Sequence, residues 1–357
     1  MKKKLLFTAY NLDMGGIEKA LVNLVNRIDY DKYDVTIILE KKEGIFLNEV
    51  NKNVNIQELN VSNNKNIIFR KIINFYRKYK FKRKYQNKFD FSCAYATYSY
   101  SSIKLALLAS KNNSLYIHSN YTNIYEEGDF YDFFNTRSID KFKKLIFVSK
   151  EAEEDFLKKY PSYRSRSCVI NNFIDIGDIK EKSKEKISVK KEKNNLLVFV
   201  GRLENKSKRI DKQINLIENL DDTELWIIGD GEDKDSISKE ISDKGLEDRI
   251  KLLGQKKNPY PYIKCADYII LTSDYEGFPV IFLEAMALNK KIITTINASD
   301  AEIDISKYGN VISKDEQEMI KEVGKILKEN KEVEKINLGK VQNNRMKALE
   351  KIFNEVV

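Results

Sequence analysis

Histidine occurs once in this 357-residue chain, at His118, and cysteine three times, at Cys93, Cys168 and Cys265. The cysteines are odd in number, far apart and set in apolar contexts. That spacing supports neither a disulfide framework nor a metal site and predicts free buried thiols in a reducing compartment. Also missing is any apolar run close to the roughly 20 residues that a bilayer-crossing helix needs. The opening Met1-Lys2-Lys3-Lys4 imitates a secretory n-region, but the apolar stretch behind it stops at Asn11-Leu12-Asp13. It is too short for a signal peptide and reads as a first buried strand, so a cytoplasmic location is expected. No Asp-x-Asp cation site stands at a strand end; Asp221-Asp222 precedes a strand and reads as a turn.

Acidic residues are absent from Lys65 to Lys88, where ten Lys and Arg stand. The chain as a whole carries a net charge of +9, so the remainder is close to neutral. Ile67, Ile68, Phe69, Ile72, Ile73, Phe75, Tyr76, Tyr79, Phe81 and Tyr85 are interleaved with these cations. In a helix, Ile68, Ile72, Phe75, Tyr79 and Lys82 fall near one face, with Arg70, Arg77, Lys78 and Lys84 around the others. A basic amphipathic helix suits an anionic membrane surface or a polyanion. It equally suits a surface helix that packs its Ile/Phe stripe into its own domain. Nucleic acid ranks last, because no base-reading module accompanies the patch.

What is present is ordinary for a soluble globular protein, with 42% hydrophobic and 33% charged residues. The length suits two domains rather than one core. Strands are expected near 4–9, 34–39, 92–95, 115–118 and 145–148, then near 196–200, 224–228, 250–253, 268–271 and 291–294. Helices are expected near 17–28, 67–85, 101–109 and 150–160, then near 210–220, 234–244, 260–264 and 280–288. This alternation predicts an α/β protein with two doubly wound parallel sheets. The Lys- and Glu-rich segment Lys180–Lys193 is the natural linker region. The expected division is an N-terminal domain of residues 1–175, a second domain of 176–339, and a C-terminal helix within 340–357.

One stretch concentrates the chemistry. Glu276 and Glu284 enclose seven residues, among them the turn Gly277-Phe278-Pro279 that opens an apolar helix at Val280. A Pro-started helix presents unpaired backbone N–H groups to a phosphate. The two carboxylates can accept hydrogen bonds from hydroxyls. Upstream, the apolar run ending in Gly201-Arg202-Leu203 delivers an arginine to a strand's C-terminal end, and Lys208-Arg209-Ile210-Asp211 adds a lysine. Arg offers a planar fork for diphosphate oxygens and Lys a mobile point charge. Gly15-Gly16 follows the first strand and opens a helix, letting backbone approach a ligand closely. His118 ends an apolar strand.

With Gly15-Gly16-Ile17-Glu18-Lys19, Gly229-Asp230-Gly231 and Leu253-Gly254-Gln255, these motifs cover nearly the whole chain in order. The chain resembles the retaining nucleotide-sugar glycosyltransferases of the GT-B fold, glycosyltransferase family 4 (group 1). It looks closest to bacterial enzymes that build capsular, lipopolysaccharide or teichoic-acid glycans. The resemblance implies two Rossmann-like domains facing across a cleft, the first binding acceptor and the second donor, with the C-terminal helix crossing back to the first. It further implies transfer of a hexosyl unit from a nucleoside diphosphate sugar, UDP-linked, to a hydroxyl of a glycan or lipid-linked acceptor, with retention and without a metal or other cofactor. Arg202 and Lys208 would then neutralise the diphosphate, backed by the helix start at Gly277-Phe278-Pro279-Val280, and Gly201 would lie close by. Glu284 would hold the ribose, Glu276 the transferred sugar, and Gln255 and Lys256 the base. Gly15, Gly16 and His118 would approach from the first domain, His118 positioning the sugar and stabilising charge. One departure stands out: the family sets its lysine five residues after the arginine, whereas Lys208 is six after Arg202, and Lys206, four after, is the alternative. Two other readings share parts of the pattern. A nucleotide-sugar epimerase uses the same fold, and a non-catalytic polyanion-binding protein would use only Lys65–Lys88.

Overall fold

The computed structural model describes residues 1–13, 15–59, 66–300 and 302–355. Lys65 and the side chains of Arg70, Arg77 and Lys78, part of the cationic stretch, lie outside the described residues. The chain divides into two compact units: Met1–Ile174 with Gln342–Val357, and Asp175–Val341.

The first unit is built on β1 (Lys3–Ala9), β2 (Tyr33–Leu39), β3 (Asn55–Glu58), β4 (Phe91–Ala94), β5 (Asn113–Ile117), β6 (Lys144–Phe147) and β7 (Ser167–Val169). They form one sheet in the order β3-β2-β1-β4-β5-β6-β7, and every pairing is parallel. Leu5, Leu6 and Phe7 of β1 are all buried. An unbroken apolar run of this kind belongs to a central strand covered on both faces, as parallel sheets require. The order of strands reverses between β1 and β4, where Leu5 sits opposite Phe91 and Thr8 opposite Ala94.

The second unit repeats the plan with β8 (Asn195–Val200), β9 (Thr223–Ile228), β10 (Ile250–Leu252), β11 (Tyr268–Leu271), β12 (Lys291–Thr294) and β13 (Asn310–Val311). Their order is β10-β9-β8-β11-β12-β13, again with parallel pairing throughout. Here the reversal falls between β8 and β11, with Val198 opposite Ile269. In open parallel sheets, ligands bind outside the carboxyl ends of the strands flanking such a reversal. The two edges to inspect are therefore the exits of β1 and β4, and of β8 and β11.

Helices fill the crossovers, several with side-chain caps that stop their first N–H groups from being stranded. Ser99 accepts from the Ser102 amide at 3.0 Å, Ser149 from Ala152 at 3.2 Å, and Asp175 from Asp178 at 2.9 Å. Helix Leu338–Asn354 packs its end on the first unit, where Phe353 meets Phe91, Tyr33 and Phe7 with ring centroids 4.8, 5.6 and 6.2 Å apart. Arg345 Nη1 donates to the Asn172 carbonyl at 2.9 Å.

The structure adds elements that local pattern does not announce. β3 and β13 are short and partly exposed edge strands, and β7 has three residues. Helix Glu127–Thr136 draws its burial from Phe130, Phe133 and Phe134, and helix Glu316–Glu329 from Met319 and Val323. The expected linker Lys180–Lys193 begins inside helix Ile176–Lys182. Two other expectations need correcting. Cys93 is buried, but Cys168 is only partly so and Cys265 is exposed, because Cys265 ends a helix on the solvent side of Ile263 and Ala266. Helix Ile67–Tyr85 does not pack its Ile/Phe stripe into the domain, since Ile68, Ile72 and Phe75 are all solvent-exposed.

Candidate functional site

Beside the β8–β11 edge, the exits of β8 and β9 are pinched together. Gly201 follows β8 and donates its N–H to the Ile228 carbonyl at 3.0 Å. Gly229, with φ +155°, approaches so closely that a Cβ there would lie 1.8 Å from the Gly201 carbonyl oxygen. A side chain at Gly231 would meet the Leu203 carbonyl oxygen at 2.3 Å. No other residue fits those two positions, which explains the Gly-Asp-Gly pattern. Arg202 leaves this pinch exposed to solvent.

A one-turn helix, Asn205–Lys208, comes next and ends at Arg209, whose φ is +51°. Its Lys208 ammonium forms an ion pair with Glu276, and Ser273 Oγ donates to the same carboxylate oxygen at 2.8 Å. Lys206, the alternative, is exposed. The β11 exit is tied to this turn by backbone as well as charge. Thr272 Oγ1 donates to the Lys208 and Arg209 carbonyls at 3.1 and 2.9 Å, and the Asp274 amide to the Ser207 carbonyl at 2.9 Å. Arg209 clamps Asp211 with two guanidinium nitrogens and reaches Asp274 Oδ2 at 3.3 Å. The Asp211 hydrogen bonds, then Asp274, hold the Arg209 guanidinium still more firmly in its charged form.

Beyond the turn, Gly277, Phe278 and Pro279 are buried. Pro279 caps helix Val280–Ala287 with φ −62° and ψ 123°; the Phe282 amide donates to the Pro279 carbonyl at 3.0 Å, which leaves the Val280 and Ile281 amides without an intrahelical acceptor. Glu284, about one turn along and half-buried, accepts from Tyr260 Oη at 3.2 Å. At the β10 exit, Gly254 has φ +69° and its carbonyl accepts from the Gly229 amide at 3.2 Å. Gln255 is exposed, while Lys256 is half-buried with its ammonium 5.7 Å from the Tyr262 ring centre. Arg202, Lys208, Gln255, Lys256, Glu276 and the Gly277–Val280 turn thus share one edge of one sheet, and Glu284 lies on the helix that follows.

The first unit sets Gly15 and Gly16 at the start of the helix after β1, and His118 after β5, with β4 between these two strands. Gly15 caps helix Gly16–Asn26 with an extended backbone, and a Cβ there would fall 2.1 Å from Glu18 Oε2. Glu18 also accepts from Tyr98 Oη at 2.9 Å. His118 follows β5 and is buried. Its ring stacks on Tyr116 at 4.8 Å and lies 4.6 Å from Tyr95. Neither ring nitrogen has a protein partner at hydrogen-bonding geometry, nor does Tyr95 Oη. Burial pushes the imidazole pKa down to about 3, against smaller opposing effects of the Tyr95 backbone and the Asn172 side chain. A pKa that low leaves His118 neutral near pH 7, able to position a hydroxyl through a ring nitrogen.

Several residues here carry no sequence signal. Arg137 is buried, donating to the Thr97 carbonyl at 2.9 Å and the Phe133 carbonyl at 2.8 Å, with its guanidinium carbon 3.5 Å from the Phe133 ring centre. Tyr95, Thr97, Arg137, Ser273, Asp274 and Tyr260 are recognisable only once strand order is known. Arg209-Ile210-Asp211 could have been read as a local clamp, since an Arg two before an Asp across a helix start can fold back on it. Among the described residues no group of three or more His, Cys, Asp or Glu is arranged to hold a metal ion.

Two open parallel sheets of like strand order, the second with glycine-pinched strand exits and a cation–carboxylate pair at its reversal, define the Rossmann-like units of the GT-B fold. Residues 180–339 match the family described as Glycosyl transferases group 1 and residues 14–178 the one described as Glycosyltransferase Family 4; the chain belongs to this family. Over 212 residues it is 28% identical to the N-acetylgalactosamine-N,N'-diacetylbacillosaminyl-diphospho-undecaprenol 4-alpha-N-acetylgalactosaminyltransferase of Campylobacter jejuni, covering 58% of this chain and 55% of that one. The matched stretch spans about half the length of the curated relatives. In fold it is similar to Anabaena HepE in complex with UDP and glucose, with a TM-score of 0.75, 14% identity and coverage of 98% and 99% of the two chains. A TarM mutant of S. aureus in complex with fondaparinux, alpha-GlcNAc-glycerol and UDP is also similar, with a TM-score of 0.73, 13% identity and coverage of 99% and 100%.

Proposed function

We propose that the protein transfers a hexosyl unit from a UDP-linked sugar to a hydroxyl of a glycan or lipid-linked acceptor, with retention at the anomeric carbon, in the synthesis of a bacterial surface polysaccharide. The observation that carries this reading is the Lys208–Glu276 pair at the β8–β11 edge, beside exposed Arg202 and a helix start capped by Pro279. A diphosphate placed there meets two cations and free backbone amides. Glu276, drawn off Lys208 by the incoming anion, becomes an acceptor for a sugar hydroxyl. Glu284, oriented by Tyr260, is offered to the ribose diol. In the first unit the two unpartnered nitrogens of neutral His118 and the Tyr95 hydroxyl suit sugar hydroxyls rather than phosphate. Support for the donor and acceptor classes comes from the solved structures holding UDP and from the relative named for a diphospho-undecaprenol acceptor.

Retention follows if the departing diphosphate and the incoming hydroxyl share one face of an oxocarbenium-like centre. Leaving-group stabilisation by Arg202, Lys208 and the helix start then carries the catalysis, since preorganised charge is worth most where charge develops. The test is a thermal-shift panel of nucleotides and nucleotide sugars, followed by product analysis with the best binder. A ligand held only by the native state raises its stability. UDP and one UDP-sugar should shift the protein, and the transferred sugar should keep its anomeric configuration. No shift with any nucleotide sugar would sink the reading, and product formed without acceptor would replace it with epimerisation.

A further inference from the structure

Helix Ile67–Tyr85 presents its apolar side to solvent. Phe81 and Tyr85 anchor its last turns on Leu6, Ile38, Leu105 and Ala109, and Tyr85 Oη bonds to Gln57. At 100° per residue these anchors lie opposite Ile68, Phe69, Ile72, Phe75, Tyr76 and Tyr79, which share an arc of about 120°. That arc is exposed along its whole length, from 57% at Tyr76 and Tyr79 to 75% at Phe75. Lys71 and Lys82 stand on one flank of the arc, Lys80 and Lys84 on the other, and Arg83 between them, all exposed. Among the described residues none of these five cations enters an ion pair.

We propose that this helix is an interfacial anchor that lies in the surface of an anionic lipid bilayer, with the Ile/Phe/Tyr arc among the acyl chains and the lysines at headgroup level. Water gives six contiguous large apolar side chains no favourable partner, so the face is built for an apolar phase. Ten cations without an acid between Lys65 and Lys88 set the sign of that phase's surface. Long lysine side chains can lay their stems along it and keep their heads at the phosphates. A second copy of the chain fits worse, because a two-fold contact would set this patch against itself, cation on cation. A polyanion without an apolar phase leaves Ile68 and Ile72 unexplained. No helix among the described residues is long and apolar enough to cross a membrane, so the contact proposed is peripheral. It rests on this helix alone and stands whether or not the sugar-transfer reading does.

The experiment is flotation of the full chain with phosphatidylcholine vesicles, with and without phosphatidylglycerol, as salt is raised. The unmodified protein should float only with anionic vesicles and fall away at high salt. Replacing Lys71, Lys80 and Lys82 together by Gln should weaken binding on the order of a hundredfold, about fivefold per cation. Replacing Ile68, Ile72 and Phe75 together by Gln should abolish flotation with anionic vesicles even at low salt. Since all six side chains are exposed, circular dichroism and nucleotide thermal shift should match those of the unmodified protein. Equal flotation with both vesicle types, flotation unchanged in both variants, or none at all overturns the proposal. So does a lipid-free dimer that the apolar variant converts to monomer, which would make the face a contact between copies.

Discussion

Where β8 and β11 end, charge is answered by charge: Lys208 sits on Glu276 and Arg209 on Asp211 and Asp274. Where β4 and β5 end, a neutral imidazole packs in one cluster with two tyrosine rings, and three polar atoms are left without protein partners. The strand order around both reversals is the same, so topology does not make the difference; side chains do. Ion pairs hold mobile cations ready at modest energetic cost while no ligand is present. Buried polar atoms without partners are costly and call for an explanation by a bound group. One edge suits an anion that arrives and leaves, the other a set of hydroxyls that must be held in one orientation.

Removing the cations is the strongest way to break this comparison. Arg202→Ala and Lys208→Gln should each lower kcat by about 10²–10³, the usual loss when one stabiliser of developing negative charge is removed. Tyr95→Phe deletes only a hydroxyl at the other edge and should leave the UDP thermal shift intact, while raising KM for the acceptor less than about tenfold. Steady-state kinetics with both substrates varied reads the split. Equal effects of the two kinds of variant on nucleotide binding would erase the distinction between the edges.

Gly229→Ala strikes the charged edge through its backbone. The new methyl would sit 1.8 Å from the Gly201 carbonyl oxygen at a φ of +155°, so both strand exits must separate. A stability loss of about 3 kcal/mol in urea is expected from strain and overpacking, together with a weakened nucleotide shift. Gly245→Ala, at φ +63° with open space around it, should cost about 1 kcal/mol. Similar losses at the two positions would remove the pinch from the account.

The neutral edge makes a prediction about pH. His118 has its folded pKa pushed down to about 3 from the ordinary 6.5, so the unfolded chain binds a proton that the folded chain refuses. Stability is therefore full above pH 6.5 and is lost as pH falls from there toward 3. Between pH 7 and pH 5 this single group should cost about 2 kcal/mol. Urea unfolding of the unmodified protein and of His118→Asn at both pH values isolates it as the difference in slope. Identical slopes would mean that the imidazole is hydrated and chargeable, and the contrast with the Lys208 edge would shrink.

Much of this was legible in the sequence because parallel strands buried on both faces read as plain apolar runs, as at Leu196–Val200 and Tyr268–Leu271. The glycines at 201, 229 and 231 were visible as a pattern, but the cause at 229 and 231, a carbonyl oxygen where a Cβ would be, exists only between strands. Edge strands such as Asn55–Glu58 escaped because one register of a half-exposed strand carries no distinctive period. The unpacked stripe of helix Ile67–Tyr85 escaped for a different reason. Periodicity says which residues share a face, and only the anchoring of Phe81 and Tyr85 says which way that face turns. The aromatic surroundings of His118 likewise depend on β4 lying beside β5.

The smallest expected effect concerns the two lysines of the one-turn helix. Lys206 and Lys208 are two residues apart, hence roughly 200° apart around the axis, and cannot both face Glu276. Lys208 is half-buried on that carboxylate, whereas Lys206 points to solvent and has no acidic partner among the described residues. Lys206→Ala should therefore change kcat/KM less than about twofold and stability by no more than about 0.5 kcal/mol, as for other exposed surface positions. The double variant with Lys208→Gln should be no worse than Lys208→Gln alone. A loss from Lys206→Ala comparable with that from Lys208→Gln would mean the turn rewinds when the anion binds and hands the diphosphate from one lysine to the other.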